Sequence, residues 1–460
     1  MIDTAAPRKT FATRWSAIAA LFRRRETLAM LGLGFASGLP LLLILSTLSV
    51  WLRQGGISRS DIGLLAFALL AYSLKPFWAP LVDRFRLPVL HRLLGQRRSW
   101  MLLAQCFIAF AIAAMALGNP QVDVARLAIF AVVLAFSSAT LDIAVDAWRV
   151  ESGSSAEQGA LASATQIGYR IANLMAGAMA LYLVEIFSHG ADPHADWPIV
   201  NTAWQYAYWA MAGLTLVGFA AIMFAPEPAA SRTRKPLRGI SALIEPLGEF
   251  FARERDSWPI VLTFIFIAQI SLYAMGPMAN PMYVDTGYTP AEIATATEVI
   301  GVIFTSVGTI AGGLAVARYG VANMLALAVA SLSLPTVALA WVAISPHEFG
   351  RLATAIAFDN FANGFGGTVF IAYLTAYTNP AHAATQYALL AAWLQLPGRF
   401  VGPFTGMFID HLEPQFGSAG ANAVFFTGTA LIGVPAILLA IWCAALLRKK
   451  EAATAPAAPA

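Results

Sequence analysis

Long apolar runs recur along the chain, each broken by a short polar stretch, and this constrains the fold more than any single motif. About 20 apolar residues in a helix span roughly 30 Å of hydrocarbon, and a helix satisfies its own backbone groups there. Such runs lie near 28–52, 61–82, 99–118, 124–148, 159–186, 204–225, 258–284, 291–316, 321–344, 350–378, 384–410 and 422–447. The pattern predicts an all-α membrane protein of twelve transmembrane helices. Composition agrees: charged residues are 12% of the chain, against about 25% in soluble domains.

The net charge of +4 would suggest nucleic acid until it is mapped. Basic residues cluster before the first run (Arg8, Lys9, Arg14, Arg23, Arg24, Arg25) and after the second (Arg84, Arg86, Arg92, Arg97, Arg98). More follow in the central linker and at Arg448, Lys449 and Lys450, whereas the alternate loops are poor in Lys and Arg. This distribution predicts both termini in the cytoplasm and excludes a nucleic-acid partner. The first run follows a basic tail and is long enough to span, so no cleavable signal peptide is expected.

Cys106 and Cys443 sit far apart in apolar runs and read as packing residues. His189, His194, Asp192 and Asp196 share one loop that could bind a metal; a solvated loop is the preferred reading, and no metal site is assigned. Phosphate-loop, zinc-protease and serine-hydrolase motifs are absent. The chain is therefore read as a non-enzyme, with no cofactor beyond a proton gradient.

The longest polar interruption falls near the middle. It divides the chain into a tail with an interfacial helix (1–27), a six-helix half (28–225), a cytoplasmic linker (226–256), a second six-helix half (257–448) and a disordered tail (449–460). Within the linker, Leu237 to Phe251 is amphipathic and is expected to lie on the membrane surface. A shift of 228 residues aligns Thr140 with Thr368, Ile143-Ala144 with Ile371-Ala372, Gln158 with Gln386 and Ala160-Leu161 with Ala388-Leu389. Duplicated halves of six resemble major facilitator transporters, whose substrate site lies between the halves near mid-membrane. Gly38 and Pro40 in the first span correspond to Gly276, Pro277 and Pro281 in the seventh; Pro397, Gly398 and Pro403 interrupt the eleventh. Ordinary close packing is the alternative, but the corresponding positions in the first and seventh spans favour hinged gating helices.

Asp142 and Asp146 stand four residues apart inside the fourth run, on one helical face. Carboxylates inside the bilayer mark ion or substrate paths, so both are proton-coupling candidates. For Asp146, near the helix end, an ion pair with Arg149 is the alternative. Arg170 in the fifth run needs an anionic partner, either substrate or an aspartate of the fourth span. Gln166, Tyr169 and Asn173 share roughly its face. Arg399 is close to its repeat counterpart. Gln269, Tyr273, Asn280, Glu298, Asp359, Asn360, Asn363 and Gln395 complete the candidate substrate-binding set, each also explicable as an interhelical hydrogen bond. Lys75 reads as snorkelling to the interface. Asp83, Arg84, Arg97 and Arg98, with Gly313 and Arg318 in the second half, read as a conformational latch.

The strings Leu31-Gly-Leu-Gly-Phe-Ala-Ser-Gly-Leu-Pro40, Trp78-Ala-Pro-Leu-Val-Asp-Arg84, Arg97-Arg98-Ser-Trp100, Asp142-Ile-Ala-Val-Asp-Ala-Trp148 and Gly168-Tyr169-Arg170-Ile171 resemble the AmpG-type muropeptide permeases of the major facilitator fold. The resemblance is densest in the first half. It implies a monomeric proton symporter of the bacterial inner membrane, embedded in lipid. Its cargo would be N-acetylglucosaminyl-1,6-anhydro-N-acetylmuramyl peptides for peptidoglycan recycling, a flux that controls β-lactamase induction and so antibiotic resistance in some bacteria. The family commonly has Gln where this chain has Leu141. Permeases for other large polar cargo of the same branch, ferric siderophores or acyl-CoA, are the alternative.

Overall fold

The computed structural model describes residues 24–152, 158–193, 195–228, 248–379 and 383–454, and these are helical, with no strand among them. Among the described residues, nine helical segments are long and apolar enough to cross a membrane. One of them, Leu389–Lys450, holds two passes, because Gly417 breaks it with φ 68° and ψ 170°. Two further long rods, 59–84 and 349–376, carry more charged and amide side chains. The total is consistent with the twelve expected.

The passes are α1 (Arg25–Gln54), α2 (59–84), α3 (Gln96–Met115), α4 (Pro120–Ser152), α5 (158–188) and α6 (Trp197–Phe224) in the first half. The second half contains α7 (Trp258–Asp285), α8 (Pro290–Tyr319), α9 (Val321–Ile344), α10 (Phe349–Ala376), α11 (383–416) and α12 (418–454). Because successive passes alternate in direction, Arg25, the 84–96 loop and residues 448–454 lie at one end, here the basic end; the other is the distal end. α12 runs to Thr454, past the expected boundary at 448. The expected interfacial helix before residue 24 and most of the amphipathic stretch Leu237 to Phe251 lie outside the described residues, as does His194.

Local chemistry starts corresponding helices in the two halves. Ser58 accepts a hydrogen bond from the Asp61 backbone N–H at the start of α2. Thr289 and Glu292 form a capping box at the start of α8, each satisfying an otherwise orphan N–H of the other's backbone.

Glycine sets the closest helix contacts. A Cβ on Gly34 or Gly168 would strike the backbone of Thr165 or Leu31, and one on Gly38 would sit 2.7 Å from the Tyr169 carbonyl. These three glycines let α1 and α5 pack backbone to backbone, as small residues do in membranes. Gly308, Gly312 and Gly364 do the same for α8 and α10. Gly38 therefore has a packing role, whereas Gly276 and Gly313 face open space.

At the basic end each half is tied within itself. The Arg97 guanidinium donates to Glu151 at 2.7 Å, and Glu227 accepts from the backbone N–H groups of Arg97 (2.9 Å) and Arg98 (3.2 Å). Arg98 donates to the carbonyls of Ile222 and Met223. In the second half Glu249 accepts from Gln386 (2.6 Å) and Asn379 (2.8 Å), and Lys450 donates to Glu254 at 2.5 Å. These contacts stay within a half and let it move as a unit.

Candidate transport site

The two halves meet through polar contacts in the distal part of the bundle. Arg59, at the start of α2, is 0% exposed. Its guanidinium donates to Asp285 at the end of α7 (2.7 Å), to Glu413 (2.5 Å) and Asp410 (3.4 Å) of α11, and to Ser418 (2.6 Å). Ser60 adds its backbone N–H (2.9 Å) and hydroxyl (2.5 Å) to Asp410, and Arg53 pairs with Asp285. A buried guanidinium persists only with such anionic partners. Deeper in the bundle, Asn280 donates to Ser46 at 3.0 Å, and Tyr182 and Thr295 share a hydrogen bond of 2.5 Å. Gly63 and Gly406 permit close approach of α2 to α11, since a Cβ on either would strike the opposing backbone. The distal end is closed.

Toward the basic end the facing surfaces part. Gln166 and Arg170 of α5 are exposed, and the Asp146 side chain is 67% exposed. Arg170 lies seven residues from Gly177, hence on nearly the same helical face, and Gly177 touches the second half. That face, running through Asn173 and Arg170 to Gln166, forms one wall of a cleft. Among the described residues Arg170 has no carboxylate partner, and Asn173 Oδ1 is buried without a hydrogen bond.

Asp142 lies at the cleft's inner end, ion-paired with Lys75 of α2. The Lys75 ammonium also sits 5.0 Å from the Tyr72 ring centre. Tyr72 lies beside Asp142, Ser138, Tyr169 and, from the other half, Arg399. Its hydroxyl is buried with no partner among the described residues. Arg399 of α11 faces Tyr72 and Tyr273, and Gly398 packs against the Tyr273 ring. Two guanidinium groups, an ammonium–carboxylate pair and three tyrosines thus converge between the halves.

Several expectations are revised. Lys75 does not snorkel; it neutralises Asp142, the partner expected of Arg170. Asp146 approaches Arg149 at 3.7 Å, the alternative given for it. Leu141 is fully buried, so its side chain fills the helix core and not the cleft. Asn363 donates to Asp359 (3.1 Å), and Thr305 donates to Asn360 (3.0 Å), so these α10 side chains are engaged near the α8 contact. Gln269 is buried at the break in α7, and Gln395 is exposed. Arg318 stacks 5.5 Å over Tyr319. Arg97 and Arg98 bind inside their own half, and of Asp83 and Arg84 only the backbone is described.

Sequence reasoning missed the Arg59 cluster. Its signal was available: the first helical junction carries Arg53 and Arg59, and the corresponding junction of the second half carries Asp285, opposite in sign. It also missed Tyr72, which reads as an apolar-run aromatic until Arg399 is seen across from it.

Two helical halves, sealed at one end and parted over a polar cleft at the other, make a transporter of the alternating-access type. The model of the Major Facilitator Superfamily matches residues 28–403. Among curated proteins the chain is 34% identical to "Putative transporter AmpG 4" of Rickettsia conorii, over 92% of this chain and 98% of that one. It is 31% identical to "Anhydromuropeptide permease" of Escherichia coli K12, over 92% of this chain and 80% of that one. The crystal structure of a D-xylose-proton symporter superposes with a TM-score of 0.67 over 90% of this chain and 96% of that one, at 16% identity, a likeness of fold alone. The chain belongs to the major facilitator superfamily, among the AmpG-type permeases. It is a transporter and not an enzyme.

Proposed function

We propose that this protein imports anhydro-muropeptides across the bacterial inner membrane, coupled to protons, with its basic end in the cytoplasm. The observation that carries the cargo class is its kinship with the anhydromuropeptide permease, which covers most of both chains. The cleft chemistry suits that cargo. Arg170 and Arg399 offer guanidinium groups to peptide carboxylates, and Tyr169 and Tyr273 offer hydroxyls and ring faces to sugars. Asp142 and Lys75 are the coupling pair: a proton on Asp142 frees the ammonium, and its loss restores the pair. The Arg59 cluster holds the periplasmic end shut while cargo leaves toward the cytoplasm.

Uptake of labelled anhydro-muropeptide into proteoliposomes tests the reading. An acid-outside gradient should drive accumulation in the wild-type protein, and Asp142→Asn should abolish the accumulation while leaving binding. Binding of a ferric siderophore or acyl-CoA in place of anhydro-muropeptide would reassign the cargo.

A further inference from the structure

Glu298 is an ionisable side chain of α8 with no assigned partner. It stands eight residues into that helix, about 12 Å along it from the distal end. Among the described residues its carboxyl makes no hydrogen bond or ion pair. It presses on α5 of the other half, where a Cβ added to Gly177 would come within 2.6 Å of the carboxyl. Both helices are wound as π-helix at this contact, Met175–Met179 on α5 and Thr295–Ile300 on α8. A π-turn is rare within α-helices and is frequent at functional sites. Here two of them face each other and bring an acid against a glycine.

Among the described residues the surroundings offer no cation. The α5 segment Met175–Met179 contains no titratable residue, and one turn on, Tyr182 is bonded to Thr295. From α10, Asp359 lies beside Tyr283 of α7, and the neighbouring Asn360 packs near Gly301 and Thr305. Along α8 itself Glu292 caps the helix start and contacts His347, and Arg318 lies at the far end. Glu185 of α5 accepts from the Ala291 backbone. Arg170 is seven residues toward the basic end, about 10 Å away along α5.

Glu298 is half-buried, so an ionised carboxylate in this contact is stripped of part of its water and gains no counter-charge among the described residues; the neutral acid bears less of that cost. Separation of α5 from α8 returns the group to water and removes the difference. We infer that Glu298 is a proton-operated seal: the distal end closes on the protonated acid, and ionisation of Glu298 favours the distally open state. This goes beyond the coupling pair in the first half, for it places a second protonation event in the second half and at the gate. It also gives acid a definite direction of effect.

The test needs no cargo. Spin labels are placed at two exposed distal positions on opposite halves, Val122→Cys and Ile344→Cys, in full-length protein carrying Cys106→Ser, in lipid nanodiscs. Distances are measured across a pH series. The wild-type background should show a several-fold rise of the long-distance population from acidic to mildly alkaline buffer. Glu298→Gln, which preserves size and mimics the neutral acid, should hold the short distance throughout. A Glu298→Gln protein that titrates as the wild type does would overturn the inference, as would a wild-type distance that is constant with pH or lengthens in acid. Failure of muropeptide uptake leaves this result untouched.

Discussion

Lys75 and Asp142 are ion-paired between α2 and α4, inside one half of the molecule. Rocking of the halves therefore does not break the pair; only a proton or a competing ligand does. This position suits a coupling group better than a strut.

The pair is half-buried, so removing one member strands the other charge at a cost below the roughly 3 kcal/mol of a fully buried pair, whereas removing both costs little. Asp142→Asn and Lys75→Met should each lower the melting temperature of the detergent-solubilised protein. The double variant should recover it. Transport driven by a proton gradient should be lost in all three. A double variant as unstable as the singles would mean that the two side chains act separately.

Arg59 joins both halves, so its loss should shift the conformational equilibrium toward the distally open state. Arg59→Ala leaves Asp285, Asp410 and Glu413 near one another, with Arg53 still paired to Asp285. Ser46, 8% exposed and bonded to Asn280 across the seal, reports on it. In a Ser46→Cys background Arg59→Ala should raise the rate of labelling by a membrane-impermeant maleimide about tenfold or more, the factor that each 1.4 kcal/mol provides. Unchanged protection would show that the remaining distal contacts suffice.

The helical layout was legible because each crossing must bury a long apolar run, and the duplicated halves because spacing survives where identity does not. The charge partners were less legible. Asp142 was visible as a costly charge, but Lys75 is 67 residues away in sequence, and pairing across helices depends on rotations that hydropathy does not encode. Arg59 was hidden for another reason. At a helix start it reads as a surface charge, and only the approach of α11 through Gly63 and Gly406 buries it. Gly38 could be a hinge or a contact from sequence alone; the α5 backbone beside it shows the contact.

Arg170 and Arg399 occupy opposite halves of the cleft, so a cargo with more than one carboxylate can bridge them. Each charge-assisted hydrogen bond contributes about 1.5–3 kcal/mol. Arg170→Ala and Arg399→Ala should each weaken muropeptide binding roughly ten- to a hundredfold. Lysine should rescue poorly, since it lacks the guanidinium fork. Calorimetric titration of the purified variants measures this, and normal affinity in Arg170→Ala would remove that residue from the site.

Gly168 and Gly276 separate close packing from hinging. A methyl group at Gly168 meets the Leu31 carbonyl and the Phe35 amide of α1, backbone atoms that cannot rotate away. At Gly276 nothing lies within 4 Å of the added carbon. Overpacking typically costs about 1–3 kcal/mol, while Gly to Ala in an open helical position gains up to about 1 kcal/mol. Gly168→Ala should therefore lower the melting temperature and reduce transport. Gly276→Ala should leave stability equal or higher, and if the α7 break bends during transport, it should slow uptake without changing affinity. A Gly276→Ala protein with wild-type uptake would assign the bending of α7 to Pro277 and Pro281 alone.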